Sequence, residues 1–348
     1  MANFAPLSIE PLLRWGNYGV TFFFVLSGFV LSWSARPQST RPSTFWWRRF
    51  ARIYPAHAVA LLMAIPVFYS FAPDPTQWWV KPVDLVVLLF SVVLLQGWFR
   101  DPAILFSGNP ASWTLTCEAF FYALHPALNS ALRRLGKHGA LIAAAIVIGV
   151  AVLYRAGLFI FPGIVPELPW PVLRLSEFII GMTLAQAFRC GWAFGLRPLW
   201  CYLGGAALVS ALTLLPMAAP AHPLVFAMLA FSNELIIILC ALTIAAVASR
   251  DIRSDRSLLR SKPLVWLGDL SYSFYLVHAT VIYFLREMLG LQNFGWSNLV
   301  WYAVCLALAI GLAALLHYLV EKPFEQHLRR WWDQRQRVIR AAVSPVES

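Results

Sequence analysis

A glutamate inside an apolar stretch, Glu118, is the first candidate for chemistry in this sequence. Thr114 lies four residues before it, and Tyr122 and His125 lie four and seven residues after it. On a helix these four side chains share one face. A carboxyl group flanked by a hydroxyl, a phenol and an imidazole in a low-dielectric setting is suited to acid–base work. The same spacing also fits a buried glutamate that ties neighbouring helices together by hydrogen bonds.

A second polar face is formed by Ser271, Tyr275 and His278, which are spaced by four and three residues. Asp269 precedes them at the expected start of a helix, where a carboxylate suits the helix dipole and can cap the first turn. His278 fits two roles, proton transfer or packing inside a helical bundle. The residues alone leave both roles open.

Three arginines, Arg48, Arg49 and Arg52, form the third candidate site. Arg52 lies one helical turn after the other two, and guanidinium groups placed in this way can hold a diphosphate through paired hydrogen bonds. A basic segment between apolar helices is also what membrane topology requires of a cytoplasmic loop. The use of arginine without lysine favours a ligand.

Other charged residues inside apolar segments predict ion pairs. Arg174 and Glu177 are three residues apart, so we expect them to bind each other. Glu234 has no charged neighbour at helical spacing, and we expect it to pair with a residue of another helix.

The composition indicates that lipid surrounds the elements that position these groups. Hydrophobic residues make up 60% of the 348 residues and charged residues 12%, with a mean hydropathy of +0.67. A typical soluble domain carries about 25% charged residues. Most of the 27 lysines and arginines lie in short segments between apolar runs, which argues against nucleic-acid binding in spite of the net charge of +11. The five cysteines show no metal-ligand spacing, so we expect buried packing residues and no metal.

The sequence therefore predicts an all-α, polytopic transmembrane helix bundle. A helix needs roughly 20 residues to cross the hydrocarbon core, and the run at 83–98 is the shortest. If this run is re-entrant or half-spanning, every basic segment faces the cytoplasm, which gives about nine crossings. The candidate spans are 17–34, 55–72, 83–98, 112–130, 139–160, 172–188, 198–216, 224–248, 264–286 and 296–319.

The domain organisation follows from the same pattern. We expect one membrane-embedded domain over residues 1–328 and a basic cytoplasmic tail over residues 329–348. The segment between the first two spans, 35–54, is expected to be a cytoplasmic loop. The chain would then start outside, which predicts that a preceding helix, running from inside to outside, is missing from this sequence.

Six motifs occur in the order found in a known family. Residues 16–29 read GNYGVTFFFVLSGF, Arg48 to Pro55 read RRFARIYP, and Ser112 to Pro126 read SWTLTCEAFFYALHP. They are followed by LRLSEFIIGM from Leu173, LGDLSYSFYLVH from Leu267 and VEKPF from Val320. Together they resemble acyltransferase family 3, which includes the O-antigen and peptidoglycan O-acetylase-like membrane enzymes.

The resemblance implies an integral membrane acyltransferase. It would move an acyl group, usually acetyl, from acyl-CoA as co-substrate to a hydroxyl of a cell-surface carbohydrate or glycolipid, in the bacterial cytoplasmic membrane. No permanently bound cofactor is implied. Glu118 and His278 would serve catalysis, and Arg48, Arg49 and Arg52 would bind the CoA phosphates. Supporting roles would fall to Ser112, Thr114, Tyr122, Ser271, Tyr275, Arg174 and Glu177.

The family begins with a helix that carries an arginine and a histidine ahead of the first motif. Only fifteen residues precede Gly16 here, and none is histidine. We therefore expect this helix to be absent from the sequence, in agreement with the charge pattern. The alternatives are a transporter of a lipid-linked sugar or small polar solute, in which the same intramembrane groups bind and relay protons, and an inactive family member.

Overall fold

The computed structural model describes residues 14–35, 41–253, 258–290, 296 and 298–343. This part of the chain is almost entirely helical, which confirms the all-α fold class. The principal helices, numbered in chain order, are α1 Gly19–Ser34, α2 Pro42–Phe68, α3 Leu85–Val92, α4 Trp113–Leu132, α5 Lys137–Ile160, α6 Leu175–Arg189, α7 Pro198–Ala218, α8 Pro223–Ala230, α9 Ser232–Ile252, α10 Lys262–Leu289, α11 Asn298–Leu316 and α12 Lys322–Val343. A two-residue parallel pair joins β1 (Tyr69–Ser70) to β2 (Lys81–Pro82).

Six of the described helices are long and apolar enough to cross a membrane, which confirms a polytopic membrane protein. By length and composition these are Trp15–Ser34, Pro42–Phe68, Lys137–Ile160, Pro198–Ala218, Ser232–Ile252 and Asn298–Ile339. The count of nine crossings stays a prediction.

The chain divides into two compact units. The first unit comprises residues 1–35, 117–261 and 293–299, and its tightest contact joins α1 to α6. A Cβ atom built on Gly28 would lie 2.0 Å from the carbonyl oxygen of Phe178, and one on Gly181 would lie 1.9 Å from the carbonyl oxygen of Val25. The two backbones therefore touch where both residues lack a side chain, a common means of packing helices in lipid.

The second unit comprises residues 36–116, 262–292 and 300–348, and in it α2 packs against α10 and α12. Trp47 of α2 stacks on Trp332 of α12 with ring centroids 5.2 Å apart, and its indole N–H donates to the carbonyl of Leu328. Helix α12 follows α11 through a single π-helical turn, His317–Glu321. It passes through residues 328 and 329 without a break, so the predicted domain boundary falls within a helix.

Two predicted segments differ from the structure. The expected loop at 35–54 becomes helical at Pro42, because the first turns of α2 pack through Trp47 on α12 and need no lipid. The expected span at 224–248 is broken at Phe231 into α8 and α9, directly before the polar residues Ser232 and Asn233, which favour the start of a new helix.

The run at 83–98 is the shortest of the predicted spans. Its α-helical part is α3, which has eight residues and is about 12 Å long. The chain then turns at Leu94, whose φ of 58° lies in the left-handed region. This segment is therefore too short to cross on its own, as expected.

Candidate functional site

A buried polar segment lies in the second unit between α3 and α4. His57 Nε2 lies 3.0 Å from the carbonyl oxygen of Ser91, and the hydroxyls of Ser91 and Ser107 are 2.6 Å apart. The amide of Asn109 donates to the carbonyl of Leu276 in α10 at 2.7 Å. Non-helical backbone is tolerated at membrane depth only where protein satisfies its polar groups. These hydrogen bonds supply that satisfaction and fix the start of α4.

The predicted residues Ser112, Thr114 and Tyr275 meet in this segment. The Thr114 hydroxyl donates to the phenol of Tyr275 at 3.0 Å, and that phenol donates to the carbonyl of Ala111 at 2.8 Å. Ser112 is fully buried and donates to the carbonyl of Asn109. The structure thus joins Thr114 and Tyr275, which belong to different motifs.

The other two residues of the second polar face, His278 and Ser271, have different hydrogen-bond partners from Tyr275. His278 Nδ1 lies 2.6 Å from the carbonyl oxygen of Tyr275, and its ring stacks on Phe274. A carbonyl only accepts, so Nδ1 donates this hydrogen bond, and in the neutral ring Nε2 then has the lone pair that a general base needs. Ser271 is exposed and donates to the carbonyl of Gly268 within its own helix.

The glutamate face lies mainly in the first unit, on α4. Glu118 and His125 are each only 2% exposed, and Tyr122 is half-buried. The ring of Phe121 packs between Phe24 and Phe178 at centroid distances of 5.1 and 4.9 Å. The apolar environment on which the acid–base interpretation depends is therefore present around this helix.

The three predicted arginines lie in different surroundings within the second unit. Arg48 forms an exposed ion pair with Asp333 of α12 at 3.4 Å. Arg49 lies over the ring of Phe45, 5.8 Å from its centroid. Arg52 lines a cavity of about 300 Å³ whose other walls are Asp269, His317, Glu321, Lys322, Glu325, Gln326 and Arg329.

This charged cavity is ordered by hydrogen bonds. Glu321 Oε2 accepts from the hydroxyl of Ser273 at 2.7 Å and lies 3.0 Å from Nδ1 of His317. Arg329 pairs with Glu325 at 2.5 Å. Within the described part of the chain, Arg52 and Lys322 form no ion pair, so two cations of the cavity are available to an anion.

Sequence reasoning missed most of this cavity. Asp269 lies two turns inside α10, because the helix begins at Lys262, so it does not cap the helix as expected. Lys322 is part of the VEKPF motif, and this motif is the sequence feature that points to it as a functional residue. Arg329 falls in the predicted tail. His57 follows the Arg48–Pro55 motif closely in the sequence, but its partner, the carbonyl of Ser91, could not be foreseen because it is a backbone group of a distant segment.

The predicted ion pairs of the first unit are confirmed. Arg174 binds Glu177, and the same guanidinium group donates to Thr21 and Asn233 at 3.0 Å each. Glu234 pairs with Arg155 of α5 at 3.4 Å. These contacts tie α1, α5, α6 and α9 together, which is a structural role.

One prediction about the cysteines is wrong. Cys117, Cys201, Cys240 and Cys305 are buried as expected, but Cys190 is exposed. It follows the last residue of α6, where the helix has ended and packing no longer covers it.

The helical fold, with six described helices that could cross a membrane and polar groups buried between them, defines a polytopic integral membrane protein. The profile of the acyltransferase domain family matches residues 2–318, so the chain belongs to that family. It is an enzyme that transfers acyl groups other than aminoacyl groups, which confirms the enzyme interpretation over the transporter.

Several curated proteins resemble the chain along most of its length. Acyltransferase MdmB of Streptomyces mycarofaciens is 36% identical over 337 residues, which cover 90% of this chain and 82% of that protein. Nodulation protein 10 of Rhizobium leguminosarum bv. viciae is 26% identical over 340 residues, covering 88% and 81%. Peptidoglycan O-acetyltransferase OatA of Listeria monocytogenes is 26% identical over 358 residues, covering 90% of this chain and 52% of that protein. No solved structure matches the chain.

Proposed function

We propose that this protein transfers an acyl group, in the simplest case acetyl, from acyl-CoA to a hydroxyl of a carbohydrate or glycolipid at the bacterial cytoplasmic membrane. The names of related proteins support this direction, because one is a peptidoglycan O-acetyltransferase. The proposal goes further than the family in naming the donor, the acceptor class and the membrane.

The observation that carries the proposal is the charged cavity with its two unpaired cations. Acyl-CoA presents a diphosphate and a further phosphate, and guanidinium and ammonium groups are the usual partners of phosphate. Arg52 and Lys322 supply one of each. A cavity of about 300 Å³ is at the small end of ligand sites, so it would hold the phosphates rather than the whole cofactor.

The proposed chemical step transfers the acyl group from the thioester of acyl-CoA to the hydroxyl of the acceptor. The acceptor oxygen attacks the thioester carbonyl carbon, a base takes the hydroxyl proton, and CoA leaves as a thiolate that is protonated to the thiol. His278 has its Nε2 lone pair free of the bond to the Tyr275 carbonyl, which suits it to the role of base. Glu118 would orient or protonate a reacting group.

Donor binding is tested with radiolabelled acetyl-CoA and protein in lipid nanodiscs. Arg52→Gln and Lys322→Gln should each weaken binding about ten-fold or more, because each removes a charge-assisted contact to phosphate. Arg260→Gln is the matched control, since Arg260 forms an exposed ion pair with Asp251 and does not line the cavity. Unchanged affinity in both cavity variants would contradict the proposed donor site.

The role of Glu118 is tested by Glu118→Gln, which keeps size and hydrogen bonding and removes the ionisable group. Acyl transfer to glycan extracts should fall by about 10²-fold or more, the usual effect of removing a general acid or base. Acetyl-CoA affinity and the thermal unfolding midpoint should stay within error of the wild type. Full activity in this variant would reject the role, and Glu167→Gln on an exposed loop serves as control.

A further inference from the structure

Helix α12 of the second unit carries an exposed apolar stripe. Phe324, Trp331 and Val338 follow one another at intervals of seven residues, which places them on one side of the helix. Their exposed fractions are 51%, 43% and 69%. Apolar side chains that are exposed in such a row mark a surface that binds a partner or a membrane.

The stripe continues onto α2 through aromatic contacts. The ring of Trp47 lies between those of Phe50 and Trp331, at centroid distances of 5.6 and 5.3 Å. Phe50 is exposed to a similar extent as Trp331. The stripe and Phe50 therefore form one apolar surface across two helices, which we call the α2/α12 surface.

An excess of positive charge accompanies this surface. Residues 322–339 contain five lysines and arginines and two carboxylates, and each carboxylate is paired with an arginine. Within the described part of the chain, Arg330, Arg335 and Arg337 are exposed and form no ion pair. The guanidinium group of Arg335 lies over the ring of Trp331, 5.4 Å from its centroid. A positive charge is thus held directly beside the apolar stripe, where an anionic group could meet both.

The order of the helices brings α12 to the surface of the membrane. Helix α11 has 19 residues, about 28 Å of helix, which is close to the roughly 30 Å of a hydrocarbon core. Helix α12 follows it after one π-helical turn, so it begins where the hydrocarbon core ends. Tryptophan side chains are enriched at this level of a membrane protein, which agrees with Trp47 and Trp331 at the centre of the α2/α12 surface.

We propose that the α2/α12 surface binds anionic phospholipid, with the head-group phosphate at Arg335 and the apolar stripe inserted at the boundary between head groups and acyl chains. Burial of apolar side chains and attraction of arginine to anionic head groups together hold an amphipathic helix at a membrane surface. An acidic soluble protein would also satisfy the arginines, but the continuity of α12 with α11 favours lipid. This lipid site goes beyond the proposed function and does not depend on which donor the protein uses.

The test uses the full protein in phosphatidylcholine nanodiscs that contain a trace of phosphatidylglycerol with a photoactivatable diazirine near its head group. Labelling should map to peptides within residues 324–339. Arg335→Gln should reduce it about five-fold, the contribution expected of one arginine near an anionic surface, whereas Arg335→Lys keeps the charge and should stay within two-fold. Val338→Gln should reduce labelling about three-fold, because it places an amide in the apolar stripe. Arg197→Gln, at an exposed arginine of another basic segment, is the matched control and should have no effect.

Comparison of probes identifies the ligand. Unlabelled phosphatidylglycerol should displace the probe, whereas soluble glycerol phosphate should not. A phosphatidylcholine probe with the same diazirine should label these peptides at least five-fold less. Equal labelling by the two probes, displacement by glycerol phosphate, or full labelling in Arg335→Gln would overturn the inference. An equal loss of labelling in Arg197→Gln and Arg335→Gln would also overturn it, because the net charge of the protein would then suffice and no site on α12 would be needed.

Discussion

At the scale of single residues, the pairing of each charge separates structural groups from candidate ligand-binding groups. Arg155 and Arg174 pair with glutamates inside the first unit, and Arg48 pairs with Asp333. Arg52 and Lys322 have no such partner within the described residues. Both side chains are exposed, so water satisfies them when no ligand is bound, and an anion can take the place of that water.

Arg48→Gln tests this distinction directly. Arg48 and Asp333 have side chains 41% and 46% exposed, and an exposed ion pair contributes about 0–1 kcal/mol. We expect acetyl-CoA affinity to stay within two-fold of the wild type and the unfolding midpoint to fall only slightly. A loss of affinity as large as that of Arg52→Gln would show that Arg48 binds the donor, as its motif suggests.

Lys81 gives the protein a pH-dependent contribution to stability. Its amine donates to the carbonyls of Ala103 and Phe106, and burial lowers its pKa from 10.5 to about 8, opposed by Asp101. Between those two values the unfolded chain binds more protons than the folded chain, so the free energy of unfolding rises with pH. Below pH 8 Lys81 is protonated in both the folded and the unfolded chain. The free-energy cost of burying its charge then lowers the stability in full.

Lys81→Met should therefore remove part of the rise in the thermal unfolding midpoint between pH 8 and pH 10. The quantity to compare is the slope with pH, because the variant also loses two hydrogen bonds at every pH. Lys262→Met at an exposed position should leave the slope unchanged. An identical slope for Lys81→Met and the wild type would contradict the shifted pKa.

At the scale of elements, contact between backbones matters more than hydrophobic burial. Lipid is as apolar as leucine, so close packing must hold α1 against α6. Gly28 and Gly181 make that possible by leaving no Cβ atom in the contact. In the second unit, the stacking of Trp47 on Trp332 holds α2 against α12.

Gly181→Ala should abolish the close contact, because the added Cβ atom would overlap the carbonyl of Val25. We expect the yield of monodisperse protein on fluorescence-detected size-exclusion chromatography to fall several-fold. Gly149→Ala is the matched control at an open helical position, and it should be neutral or stabilise by up to about 1 kcal/mol. A normal yield for Gly181→Ala would mean that α1 and α6 can move apart at little cost.

At the scale of the whole molecule, the charge pattern sets the orientation in the membrane. Basic segments between apolar helices are retained on the cytoplasmic side. Cys190 follows one of them and is the exposed cysteine of the five, so the native chain carries its own reporter.

A membrane-impermeant maleimide should label Cys190 in inside-out vesicles and not in intact cells. Asp74 is exposed. It follows the predicted span 55–72, which leads away from the cytoplasmic segment 35–54, so we predict that residues 73–82 face outwards. Asp74→Cys in a Cys190→Ser background should therefore show the opposite pattern. Labelling of Cys190 from outside the cell would reverse the predicted orientation of this segment.

The amino-acid sequence by itself determined the all-α fold class, the lipid environment of the helices and the family. These properties depend on composition and on short local patterns, such as the apolar runs and the Arg48–Pro55 motif. It also predicted the Arg174–Glu177 pair, because three residues of separation on a helix leave little choice of geometry.

Only the tertiary structure decided which distant groups meet. The contact of Thr114 with Tyr275 and the gathering of Arg52 with Lys322 join residues more than 150 positions apart. Hydropathy averages over a whole helix and carries no information about which face meets which neighbour, so these contacts could emerge only from the packed chain.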